Sequence, residues 1–250
     1  MVSPILHFSW GYDARAVFGL VERLAMISAA HHNPDWEVIL WSPRAPTGYH
    51  WDEVLKSVPR VKVIPAPAFT HFNRREIPKY AHKADLVRHS VLYALGGAYL
   101  DLDTVTLAPF PNEWLSKPYT VGIEYNGDGS VIGLCNAVYT CEPFAPFAWR
   151  ILSELQYWDP ATHGYAEFSV HRPHLWAKEM EPGEVNIVMW KLLGPMHWDR
   201  GAYWERRGTL ASVVVGHLWG SLCRKQLDGL TEETLREGEF AYADAVRDFL

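Results

Sequence analysis

The sequence has little cysteine, no excess of positive charge and no long hydrophobic run, and each shortage removes a class of protein. Its three cysteines, Cys135, Cys141 and Cys223, are an odd number without the paired Cys-x-x-Cys spacing of a zinc site. Reduced thiols in a cytoplasmic protein are the expectation. Lysine and arginine total 23 against 29 aspartates and glutamates, a net charge of -6, which offers no basic footprint for nucleic acid. No stretch reaches the roughly 20 apolar residues of a membrane-spanning helix. The start, Met1 to His7, lacks the basic region and long apolar segment of a signal peptide. Internal repeats, low-complexity tracts and linkers are missing too, so a single domain over 1–250 is expected.

What is present is a full core's worth of apolar side chains, 48% of the chain, with twelve tryptophans and twelve tyrosines. Such aromatic faces fill a core or stack on sugars and bases. The hydrophobic pattern predicts strands at Ile5–Trp10, Trp36–Trp41, Val61–Ile64, Ala98–Leu100, Tyr119–Glu124, Ile132–Tyr139 and Ser212–Val215. Helices are predicted over Ala14–Ala30, around Trp51–Lys56, from Pro78 to Leu95, over Phe147–Gln156, over Val185–Leu193 and over Glu232–Leu250. The leading β-α-β-β-α-β order points to an α/β fold with parallel strands covered by helices. In such sheets ligands sit outside the carboxyl ends of the strands.

At one of those ends stand Asp101 and Asp103. A strand's period of two sends both carboxylates to the same side, and charges there need compensation. A hard divalent cation, Mn²⁺ or Mg²⁺, would supply it and keep positions open for phosphate. One helix earlier, Asp85 and Arg88 share a face. They are either an intrahelical ion pair or a pair that grips sugar hydroxyls and phosphate oxygens. His217, after an apolar strand, is either a structural histidine or a third metal ligand. Trp10 ends the first strand, where it fills the core or stacks on a base. The basic cluster Arg74, Arg75, Lys79 and Lys83 reads as a solvated approach to the helix. Glu124, Asn136 and Ser221 are ordinary when taken singly. Asp101 to Val105 also matches the Asp-x-Asp-Thr-Val motif of haloacid-dehalogenase phosphatases, with Asp101 as nucleophile. Against that stand the hundred residues preceding it and the lack of a later acidic pair.

Taken together, Ala84-Asp85-Leu86-Val87-Arg88, Leu92-Tyr93 and Gly96-Gly97-Ala98-Tyr99-Leu100-Asp101-Leu102-Asp103 resemble the signature of DxD sugar transferases. That family includes initiating mannosyltransferases, α1,4-glycosyltransferases and capsular polysaccharide enzymes, and is similar to the catalytic domain of clostridial glucosylating toxins. Pro4 to Trp10, Asn33 to Trp41, Cys135-Asn136-Ala137-Val138, Gly194-Pro195 and His217 to Ser221 extend the resemblance in order. It implies a GT-A fold: one Rossmann-like domain with a mixed sheet covered by helices. Residues 1–110 would form its nucleotide-sugar half, 111–230 its acceptor half and 231–250 a C-terminal helix. It further implies transfer of a hexose from a UDP- or GDP-sugar, with retention, to a glycan or protein hydroxyl, using Mn²⁺ or Mg²⁺. Asp101, Asp103 and His217 would serve the metal, and Asp103, Asp101 and Arg88 the catalysis. Trp10, Asp85, Arg88, Tyr99, Asp101, Asn136 and Ser221 would contact the donor. The sequence departs from the pattern at Leu222, where the family has tryptophan, and after Gly194-Pro195, where Met196-His197-Trp198 follows. A sugar-nucleotide- or glycan-binding relic without turnover is the rival that the first departure favours.

Overall fold

The computed structural model describes all residues except 68, 160, 190–193, 206–209 and 211. From the start the chain runs β1 (Ile5–Ser9), α1 (Leu20–His32), β2 (Glu37–Ser42), α2 (Tyr49–Ser57) and β3 (Val61–Pro65). A two-strand ribbon, β4 (His71–Phe72) and β5 (Arg75–Glu76), leads into α3 (Tyr80–Leu95) and β6 (Gly97–Leu100). Next come β7 (Thr104–Thr106), α4 (Asn112–Leu115), β8 (Tyr119–Tyr125), β9 (Val131–Cys141) and α5 (Pro146–Leu155). The rest is more broken: α6 (Arg172–Ala177), β10 (Asn186–Val188), α7 (Ala202–Glu205), β11 (Val215–His217), α8 (Arg224–Asp228), α9 (Glu232–Glu237) and α10 (Ala241–Val246).

Seven strands form one mixed sheet in the order β10-β8-β9-β6-β1-β2-β3. β3, β2, β1 and β6 are parallel, whereas β9 runs antiparallel to both β6 and β8. Alternation sorts the two faces. Leu6, Phe8, Ala98 and Leu100 join the core beneath α1 and α2, with Met26, Ile27, Trp51 and Val54. Tyr99 belongs to the opposite core, with Leu86 and Leu92 of α3 and Phe147, Ala148 and Ile151 of α5. A third core joins Leu20 and Leu24 of α1 to Val105 of β7 and to Tyr242, Ala243 and Val246 near the end of the chain. Within it the buried Arg23 pairs with Glu232, and Ser28 Oγ accepts the Thr106 amide at 3.1 Å.

The expected Gly-Gly stop is where two tight contacts meet. Gly96 and Gly97 both have positive φ, 67° and 108°, a region side chains avoid. A Cβ on Gly97 would lie 2.5 Å from the Ile5 carbonyl oxygen. There the His7 Nε2–H donates to the Gly96 carbonyl at 2.8 Å while Nδ1 accepts from the Trp41 indole at 3.0 Å. Burial holds that imidazole down to about 4, so it is neutral and keeps one tautomer. The end of α3 is thereby pinned to β1.

Four predicted elements differ. The first helix begins at Leu20, not Ala14. Asp13 accepts the Arg15 amide at 2.9 Å in a local turn, an alternative to helix that aspartate favours, and the Glu22 carboxylate accepts the Gly19 amide at 3.0 Å at the true start. Val17, inside the predicted helix, is 80% exposed. The stretch predicted as helix over 185–193 instead contributes Asn186–Val188 as an edge strand beside β8; residues 190–193 lie outside the described ones. The strand expected at Ser212–Val215 is shifted to Val215–His217. The last segment is two short helices, because the chain turns extended at Gly238.

Candidate active site

Asp101 follows β6 on the side of Tyr99, as the strand period dictates, and so faces α3. Arg88 rises from that helix beneath it. Its guanidinium meets Asp101 through both oxygens, Nη2 at 2.9 Å from Oδ1 and Nη1 at 3.4 Å from Oδ2. It also donates to the Asn136 carbonyl and lies 3.5 Å from Asp85. The Tyr99 hydroxyl donates to Asp101 Oδ1 at 3.1 Å and pairs with Ser9 Oγ at 2.7 Å. The Tyr99 ring lies under the guanidinium, 4.5 Å from Cζ to centroid. Arg88 is only 4% exposed, so it is placed to orient Asp101 from behind.

Asn136 reaches this network because β9 bulges. Val121 of β8 opposes Tyr139, yet the next residue, Gly122, opposes Cys135. Residues 136–138 are thrown out of register with β8, and bulges of this kind re-aim side chains. The Asn136 amide donates to Asp85 Oδ1 at 2.9 Å, and the Ala137 carbonyl accepts the Asp101 amide at 2.8 Å. Asp85 also borders a small cleft with His82, His89, Tyr165 and Phe168.

The second carboxylate is held from the other side. β11 pairs antiparallel with β7, His217 opposite Thr104, which brings Nε2 to 3.4 Å from Asp103 Oδ2. The Gly220 amide donates to the same oxygen at 2.6 Å, and Leu218 N donates to the Asp103 carbonyl at 2.8 Å. Trp219 lies against the imidazole at 4.1 Å, holds φ at 55°, and anchors its indole N–H on the Pro195 carbonyl at 2.9 Å. A non-glycine residue there is strained and persists because its surroundings fix it.

Electrostatics separate the three carboxyls. Burial raises Asp85 to about 6, against the opposing pull of Arg88. Burial also raises Asp101, again opposed by Arg88 and aided by the nearby Asp103 charge. At Asp103 burial is outweighed by His217 and the Gly220 amide, which bring it down to about 2. His217 is opposed by burial but raised well above its ordinary value by Asp103.

Ligand atoms of Asp101, Asp103 and His217 all lie within 4.8 Å of one another. About a quarter of each aspartate side chain meets solvent, 25% and 27%. Two oxygens and one imidazole nitrogen, converging and open on one side, suit Mn²⁺ or Mg²⁺ with positions left for phosphate. Thus six of the residues read from sequence, Asp85, Arg88, Tyr99, Asp101, Asp103 and His217, are drawn into one assembly, with Asn136 as a seventh. Trp10 is apart from it: 8% exposed, edge-on to Phe18 and covered by Arg44 at 5.0 Å. Ser221 is exposed on the loop next to Gly220. Sequence reasoning missed Ser9, Trp219 and Gly220, whose only signal was adjacency to assigned residues.

Residues 21–121 match the family model described as a glycosyltransferase sugar-binding region containing a DXD motif. Glucan organizing enzyme 1 of Cryptococcus neoformans is 28% identical over 238 residues, 91% of this chain and 63% of that protein. The initiation-specific alpha-1,6-mannosyltransferase of Candida albicans is 42% identical over 60 residues, 24% of this chain and 15% of that protein. The chain therefore spans less than two thirds of the length of either relative. Among solved structures, galactosyltransferase LgtC in complex with donor and acceptor sugar analogues has a TM-score of 0.51 at 14% identity, covering 92% of this chain and 98% of that one. By fold the chain is a GT-A protein. By sequence, residues 21–121 are similar to the glycosyltransferase sugar-binding region that contains the DXD motif.

Proposed function

We propose that this chain transfers a hexose from a UDP- or GDP-sugar to a hydroxyl of a glycan or protein acceptor, with retention and with Mn²⁺ or Mg²⁺ bound by Asp101, Asp103 and His217. The observation that carries this reading is the convergence of those three side chains at the carboxyl end of β6. The names of the relatives support the class of donor and acceptor: one is a mannosyltransferase, another a glucan organizing enzyme, and LgtC was crystallised with donor and acceptor sugar analogues. In this reading residues 1–110 serve the nucleotide and 111–230 the acceptor.

When bound, the cation would neutralise charge on the departing diphosphate, the chief electrostatic need of such a transfer. The protein's part is to present ligands that are charged and fixed. Asp103 stays ionised through the ordinary pH range, because His217 and the Gly220 amide lower its carboxyl to about 2 despite burial. Its Oδ2 is occupied by those partners, so Oδ1 is the oxygen it offers outward. Asp101 is clamped by the Arg88 fork and the Tyr99 hydroxyl. The same clamp speaks against Asp101 as a phosphatase nucleophile, which must leave its partners to attack phosphorus. Asp85, facing the cleft with one oxygen held by Asn136, is the acceptor for donor-sugar hydroxyls, and Ser221 completes the proposed donor contacts.

The test is Asp103→Asn, assayed for transfer and donor hydrolysis with Mn²⁺ across UDP- and GDP-sugars. Turnover should fall by about 100-fold or more, the order seen when a charge-stabilising group is removed. The rise in melting temperature that Mn²⁺ gives the parent should vanish as well. Turnover at the parent rate would remove Asp103 from the metal site. A parent that binds nucleotide sugar across the panel without releasing sugar would favour the relic.

A further inference from the structure

The small cleft beside Asp85 is bordered by polar side chains that lack partners. His82, Asp85 and His89 stand at i, i+3 and i+7 of α3, on one face of the helix, and all three line the cleft. His82 Nε2 donates to the Tyr165 carbonyl at 3.2 Å, and His89 Nδ1 pairs with the Tyr139 hydroxyl at 3.0 Å. The second nitrogen of each ring, His82 Nδ1 and His89 Nε2, is buried without a hydrogen-bond partner. The two residues are 5% and 3% exposed, a depth at which orphaned polar atoms are costly. Asn136 and Arg88 both meet Asp85 at Oδ1, which leaves Oδ2 for the cleft. A single π-helical turn, Glu167–His171, brings Ser169 to the same space, and such turns are frequent at functional sites.

Size and hydrogen-bonding character narrow what fits. The cleft has a volume of about 10 Å³, room for one water-sized group. Burial lowers both imidazoles, His89 to about 3, so both are neutral. His82 already donates from Nε2, and its Nδ1 therefore offers a lone pair. With the Tyr139 hydroxyl donating to Nδ1 of His89, its Nε2 carries the proton. One acceptor and one donor side by side suit a hydroxyl, which both donates and accepts.

We propose that this cleft seats the C6 hydroxyl of the donor hexose, and that His82 and His89 are the residues that read it. Ring hydroxyls sit directly on the sugar ring, whereas the C6 hydroxyl stands on a one-carbon arm, the slender part of a hexose that so narrow a cleft admits. Its O–H donates to His82 Nδ1 and its oxygen accepts the His89 Nε2–H, while Asp85 takes a ring hydroxyl at the rim. A 6-deoxy sugar would put a methyl group there and leave both nitrogens bare, and a uronic acid would bring a carboxylate beside Asp85. The donor class is therefore a hexose with a free primary hydroxyl. The inference rests on the donor reading given above.

The experiment is calorimetric titration of the full 250-residue chain with Mn²⁺ and matched donor pairs: UDP-glucose, UDP-galactose and GDP-mannose, each against its 6-deoxy counterpart. The 6-hydroxy member of the pair that binds should be tighter by about 10- to 100-fold, the effect of leaving buried polar groups unpaired. His89→Leu should narrow that gap to within about threefold. His82→Leu gives the same decision should His89→Leu fail to fold. If the parent binds both members of a pair equally, or if both leucine variants keep the parent's gap, the cleft does not read the C6 hydroxyl while the donor reading stands. If the parent binds no nucleotide sugar, the donor reading falls and takes this inference with it.

Discussion

Asp85 and Asp103 stand on either side of Asp101, and their surroundings push them in opposite directions, to about 6 and about 2. For Asp85 burial dominates, so the folded protein favours the protonated acid. A folded pKa above the ordinary 3.8 means that its contribution to stability is complete below that value and is lost as pH rises through 6. Over that window the decline is about 3 kcal/mol at most. Asp85→Asn should therefore flatten the urea midpoint between pH 4 and 7 and raise it at pH 7. A profile that keeps the parent's slope would show that Asp85 is not the titrating group. At this scale the sequence was informative where residue types were unusual together: Asp85, Arg88, Asp101, Asp103 and His217 were all legible. What could not be read was direction. Arg88 faces inward to Asp101 because Tyr99, on the same strand face, roofs its guanidinium. Asn136 looked ordinary because its place beside Asp85 depends on a bulge in β9 that no local pattern encodes.

Elements with a local cause were read well. α3 ends where two glycines take positive φ, and β1, β2 and β3 follow from their apolar runs. The Gly-Gly stop is also where the fold is least tolerant, since Gly97 sits against the Ile5 carbonyl and the His7 ring. Gly97→Ala should cost about 2–4 kcal/mol, combining backbone strain with a clash that must move β1. Urea denaturation measures it, and a loss below about 1 kcal/mol would mean that β6 adapts without strain. Elements that depend on distant partners were misread. β11 exists because β7 pairs with it across more than a hundred residues, and β10 because β8 offers an edge. The first helix starts late because Asp13 prefers its own turn.

The whole molecule is a mixed sheet with a core on each face and a third core off the sheet, and α1 belongs to two of them. One of its faces packs under β1 and β2 through Met26 and Ile27. The other receives the C-terminal helices through Leu20, Leu24 and the buried Arg23–Glu232 pair. From that same helix Ser28 holds the Thr106 amide, three residues beyond Asp103. None of the described helices is long and apolar enough to cross a membrane. The sequence marked 231–250 as a C-terminal helix. That this segment packs against β7, beside the site, required the fold. A consequence concerns how the protein fails in heat. The short C-terminal helices are expected to open first, because they join the fold only through the third core, off the sheet, and local openings need not disturb the central strands. Their release uncouples α1 from β7 and slackens the pairing that holds His217 against Asp103, while the central sheet is still intact. On a slow heating ramp, nucleotide-sugar binding should therefore disappear before the far-ultraviolet circular dichroism signal does. Superimposable curves would mean that the third core melts only with the sheet.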